Sequence, residues 1–198
     1  MKPVFATLAG LMIAGALAAA AVVGLGLYDI SATDQHLQPT YRLLDASMRS
    51  SVARRARSIV VPGLEDAAQR DHGMALYDAN CVPCHGAPGV APEPFALGLT
   101  PAPANLAHTA REWSAAELYW VVRHGIKMTG MPAWAYRLPD DDLWAIVAFL
   151  QVLPSMRPQD YRARTGRTDP PRAREAAEGK ARLPGDVARG KRAIQQYA

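Results

Sequence analysis

Three regimes of hydrophobic patterning follow one another along this 198-residue chain. Val4 to Leu27 is an almost unbroken apolar run, VFATLAGLMIAGALAAAAVVGLGL. About 20 apolar residues in a helix cross a bilayer core, so the run is long enough to span one. It also continues past Ala18-Ala19-Ala20, where a signal peptidase could cut, which favours a retained anchor over a cleaved leader. Next, Tyr41, Leu44, Met48 and Val52 recur at helical spacing, with Arg42, Asp45 and Arg49 elsewhere around the turn. This predicts an amphipathic helix of about four turns. Packing on the rest of the chain is its first expected role; the membrane surface or an integral membrane partner are the others.

Three more helices can be read from local signals. One runs roughly from Glu65 to Ala79, with Gly73 and Tyr77 one turn apart on a shared face. A second starts at the S-x-x-E capping box of Ser114 and Glu117, continues apolar through Val122 and stops at Gly125. A third starts at Asp140 as its cap, with Asp141 and Asp142 suited to the positive helix end, and closes at Pro154. Residues 86–111 are rich in Pro, Gly and Ala without periodicity, and beyond residue 155 Pro, Arg and Ala dominate. No strand-like alternation occurs, so the expected class is all-α. The expected divisions are 1–28, an anchor or signal segment; 29–62, a helical extension; 63–154, the main domain; and 155–198, a linker or disordered tail.

Charge sharpens this division. The net charge of +4 conceals a net of −5 over residues 63–154 and +6 over residues 155–198. A basic tail without interleaved aromatics gives nucleic-acid binding little support. Arg49, Arg54, Arg55 and Arg57 stand on the expected outer side, against the positive-inside tendency. Most lie more than about 20 residues from the span, where that rule loses force.

The candidate chemistry is Cys81-Val82-Pro83-Cys84-His85. C-x-x-C-H is the attachment pattern of a c-type haem: two thiols straddle the two vinyl groups, and the next residue falls under the iron. These are the only two cysteines, which rules out a four-thiolate zinc or iron–sulfur site. A thioredoxin-like redox pair would sit in a βαβ context, which is missing. A zinc site would need a fourth ligand, whereas His36, His72, His108 and His124 stand alone. A second iron ligand is offered by Gly130-Met131-Pro132-Ala133-Trp134. Met131 is preferred to Met128 because the following proline stiffens the backbone there. A thioether favours ferrous iron and so raises the reduction potential.

Gly73, Tyr77, the C-x-x-C-H-G run, Thr129-Gly130-Met131-Pro132-Ala133-Trp134 and the closing Leu-Trp-Ala-Ile-Val-Ala-Phe-Leu helix resemble a class I cytochrome c domain over about residues 63–154. The resemblance is to bacterial respiratory-chain haem domains, including cytochrome subunits of haem–copper oxidases. It implies one covalent haem c held by Cys81, Cys84, His85 and Met131, with His85 and Met131 on the metal. It also implies an electron carrier rather than an enzyme, exported to the periplasmic face of the inner membrane, with redox partners in an oxidase or dehydrogenase. Ile146 and Phe149 would meet Gly73 and Tyr77, and a proline carbonyl, Pro101 or Pro103, would accept the His85 Nδ1 proton. Trp113, Tyr119 and Trp120 are large enough to wall a porphyrin, and Arg123 and Lys127 could pair with its propionates. Residues 185–198 resemble the lead-in helix of a further cytochrome c domain, as in a truncated two-haem relative. The rival readings are a five-coordinate haem enzyme or gas-binding protein, and an accessory subunit using residues 28–60 as its contact surface.

Overall fold

The computed structural model describes residues 2–167, and among them the fold is all-α, with a single isolated bridge between Ala87 and Val90. The helices are α1 (Lys2–Gly24), α2 (Gln38–Ala56), α3 (Ala67–Asn80), α4 (Val82–His85), α5 (Leu106–Thr109), α6 (Ala115–His124), α7 (Asp140–Val152) and α8 (Pro158–Thr165). Helix α1 has the length and apolarity to cross a membrane, and its side chains from Pro3 to Gly24 are exposed.

Helix α7 is the hub. Leu143 and every residue from Ala145 to Leu150 are buried, so the helix is apolar nearly all round, as expected of one enclosed by neighbours. It crosses α3 at Gly73, where a Cβ would overlap the Ala145 carbonyl and press on the Ile146 nitrogen. Only glycine allows this backbone-to-backbone approach. One turn on, Tyr77 packs its ring against Phe149 at 5.3 Å between centroids. The expected partners Ile146 and Phe149 are therefore present, with the Ala145 carbonyl as the closest neighbour of all.

Local signals set most helix ends. Asp66 caps α3 by accepting from the Ala68 and Gln69 amides. The capping box of α6 is complete in both directions, and Gly125 ends that helix at φ +64°. The expected Asp140 cap of α7 is corrected: Pro139 occupies the N-cap, and the Asp140 carboxylate turns instead to Arg123. An ion-pair partner on a neighbouring helix outcompetes the helix's own amides.

The expectation of an unstructured tail from residue 155 is also corrected for its first part. Helix α8 lays a fully buried Tyr161 beside Phe149, at 6.4 Å between ring centroids. Its hydroxyl donates to the Asp78 carboxylate at 2.7 Å, and Arg167 pairs with the same carboxylate at 2.6 Å. Arg164 adds a pair with Asp71 of α3. The compact unit thus extends to at least residue 167. The stretch likened to the start of a further domain, 185–198, lies outside the described residues.

The extension helix α2 is where the sequence pattern placed it, and its C-terminal half packs on the domain. Val52 and Ala56 are buried, and Arg49 lies over the Trp113 ring at 5.0 Å while pairing with Glu112 at 3.3 Å. Arg55 lies over the Trp120 ring at 6.0 Å. Trp113 and Trp120, considered above as porphyrin walls, therefore serve to seat α2. Tyr119 is stacked on Trp144, ring planes 8° apart.

Candidate functional site

Helix α3 delivers Cys81 at its C-cap, where the Cys81 amide still donates to the Tyr77 carbonyl at 2.8 Å. The single turn of α4 follows, with Pro83 near its start, where the missing N–H costs nothing. The Cys84 and His85 amides both donate back to the Cys81 carbonyl, at 3.1 and 2.9 Å. One tight turn thus carries both thiols and the imidazole. Gly86 then reverses the chain at φ +64°, and a Cβ there would press on the Val90 carbonyl and Pro92. The buried Tyr77 hydroxyl donates to the Gly86 carbonyl at 2.7 Å, pinning the turn from behind.

Both cysteines are free thiols. Burial, with Cys84 close by, pushes the Cys81 thiol up to about 12. A thiol held protonated is a poor thiolate ligand for a metal. Among the described residues, no three His, Cys, Asp or Glu side chains converge in a metal-binding arrangement.

His85 Nδ1 lies 2.7 Å from the Ala104 carbonyl oxygen. A carbonyl only accepts, so Nδ1 carries the proton and Nε2 keeps its lone pair for a metal. Burial holds the imidazole below its ordinary pKa, with the Ala104 bond opposing, and this too favours the neutral form. The acceptor expected at Pro101 or Pro103 is corrected to Ala104. Ala104 directly precedes Asn105, the N-cap of α5, so its carbonyl lies outside that helix's own ladder.

The second candidate element is the methionine loop. Thr129 Oγ1 donates to the Ile126 carbonyl at 2.8 Å and accepts from the Met131 amide at 3.1 Å, and the Ile126 amide donates to the Met131 carbonyl at 3.2 Å. These three bonds fix the backbone at Met131. Its side chain is half-buried against the hydrophobic cluster that includes Cys81 and Val82. Met128, by contrast, is 95% exposed with φ +59°, a loop-tip residue facing water. The two halves of the site are linked by the Pro-rich loop. The Glu93 amide donates to the Pro83 carbonyl at 2.9 Å, and Leu99 packs on Gly130. Arg123, a candidate propionate partner, is engaged with Tyr119 and Asp140; Lys127 is exposed.

Residues 68–150 match the family described as cytochrome C oxidase, cbb3-type, subunit III. This stretch is a c-type cytochrome domain. The match takes in α3, the cysteine turn, the methionine loop and most of α7, 83 of the 198 residues, and leaves α1, α2 and α8 outside. No curated protein and no solved structure matches the chain. The residues of the cytochrome domain that sequence reasoning missed act through backbone or hydroxyl atoms: the Ala104 carbonyl, the Thr129 hydroxyl and the Gly86 carbonyl. Of these, Thr129 and Gly86 lay in motifs that drew attention, and Ala104 did not.

Proposed function

We propose that the protein is a membrane-anchored electron-transfer subunit carrying one covalent haem c, serving an oxidase-type respiratory complex from the periplasmic side. The observation that carries this reading is the His85–Ala104 bond, which frees Nε2 beside two unpaired thiols on a single turn. Cys81 and Cys84 would hold the group through thioether links, and His85 and Met131 would offer its iron a nitrogen and a sulfur. Haem c, when bound, supplies a one-electron couple. The chain contributes rigidity: Tyr77 and Ala104 hold the imidazole side, and the Thr129 bonds hold the thioether side. A rigid ligand pair leaves little to rearrange when an electron arrives, which suits a carrier rather than a catalyst. Helix α1 supports the anchor, and covalent haem attachment outside the cytoplasm supports the orientation.

The test is expression with haem-maturation machinery, followed by acid–acetone extraction and ferric spectroscopy. Colour should stay with the polypeptide, and Cys81→Ser with Cys84→Ser should abolish it. Met131→Ala should remove the weak long-wavelength sulfur-to-iron band and lower the reduction potential while the haem stays attached. A Met131→Ala protein with unchanged band and potential would refute that ligand assignment.

A further inference from the structure

Helix α2 carries one apolar stripe of which only half is covered. Leu37 just before it, then Tyr41, Leu44, Met48 and Val52, fall on a single face at helical spacing. Val52 is 1% exposed, Met48 is half-buried, and both lie in the half that packs on the cytochrome domain. Toward the N-terminus the same stripe runs past the domain's edge: Tyr41 is 43%, Leu44 50% and Leu37 67% exposed.

What lies beyond that edge follows from the length of the chain. Only residues 25–37 separate α1 from α2. The connection is also pinned early, because the Thr100 hydroxyl donates to the Ala32 carbonyl at 2.7 Å. Eight residues from Gly24 to Ala32 reach at most about 29 Å even when fully extended. Resting on the anchor reading above, we infer that the N-terminal half of α2 lies in the bilayer interface, with Leu37, Tyr41 and Leu44 set among the lipid acyl chains. The cytochrome domain is then held at a fixed tilt over the membrane instead of swinging on a loose tether.

Three features favour lipid as the occupant. The tether keeps that surface at high effective concentration whatever other proteins are present. A tyrosine between two leucines is the composition of an interfacial face. Arg42 beside them can raise its guanidinium to the phosphates while its stem stays with the apolar side chains.

The experiment uses the full haem-loaded chain in vesicles of phosphatidylcholine and phosphatidylglycerol. With Cys81 and Cys84 consumed by thioether bonds, a spin label goes on Leu44→Cys, on Tyr41→Cys, or on Ser50→Cys of the opposite face. Retention through an alkaline carbonate wash reads the anchor separately. The labels at 44 and 41 should collide with lipid-soluble oxygen in preference to a water-soluble nickel chelate, at a depth of about 5–10 Å below the headgroup boundary. The label at 50 should show the reverse preference. Labels at 44 and 41 that stay water-accessible in washed, retained chains would overturn the inference while leaving the anchor standing. Protection found only in native membranes, with a protein cross-linking at 44, would overturn it in favour of a protein contact. Loss of the chain on washing would refute the anchor reading, and this one with it.

Discussion

Two helix contacts of the molecule are built on opposite principles. Where α3 crosses α7, backbones meet at Gly73 and Ala145, and the surrounding Tyr77, Leu143, Ile146 and Phe149 are fully buried. Where α2 meets α6 and the turn before it, two small residues are buried, and arginines lying on tryptophan faces do the rest. The first contact tolerates no change of shape. The second is an adjustable fastening of a helix onto the domain's surface. The family match separates the two in the same way, including α3 and most of α7 but not α2.

The contrast can be tested, beginning with the largest expected effect. Gly73→Val should destabilise the domain by about 3 kcal/mol, the upper part of the overpacking range, because the obstacle is backbone and cannot rotate away. Denaturant unfolding of the haem-loaded protein measures it; a loss below about 1 kcal/mol would mean that the crossing is more compliant than described. Tyr77→Phe keeps the ring against Phe149 and removes only the bond to Gly86. It should cost about 1–3 kcal/mol, the penalty for leaving a buried carbonyl unpaired. On the other side, Arg49→Ala and Arg55→Ala should each cost about 0.5–1 kcal/mol, the range for exposed cation–π contacts. They should leave the haem spectrum unchanged and raise amide exchange in α2 alone. Altered ligand bands in those variants would merge the two regions into one.

The smallest effect is one of pH. Partial burial and the neighbouring Arg123 hold His124 below the ordinary histidine pKa. The unfolded chain therefore binds the proton more readily, and stability falls as the pH drops below that ordinary value. His124 also stands against Trp120, the ring that receives Arg55. Acidification should loosen α2, and His124→Gln should flatten that dependence, as read by amide exchange in α2 between pH 7 and pH 5.

These contrasts also explain what could be read in advance. The capping box of α6 and the arrival of Cys81 at the end of α3 are local in sequence, and the structure has both; the glycine crossing of α3 and α7 was legible only through the family resemblance. The Ala104 acceptor was not, because any residue supplies a carbonyl and only the path of the loop decides which one arrives. Trp113 and Trp120 gave no sign of seating arginines, since an aromatic ring reads alike whether it faces a cofactor or a cation. Helix α8 escaped because a single tyrosine carries its burial inside a stretch otherwise typical of a solvated tail. Met131 is preferred to Met128 on the strength of Pro132; the structure adds, as the sequence could not display, that Met128 is exposed at positive φ.

Asp78, three residues before Cys81, takes its two partners from residues 161 and 167, a separation of 83 and 89 positions. Without that reach the cysteine-bearing helix would lose the clasp that Tyr161 and Arg167 close on it. A cut anywhere between the cysteine turn and residue 161 therefore leaves that turn whole and strips the fastening from the helix behind it.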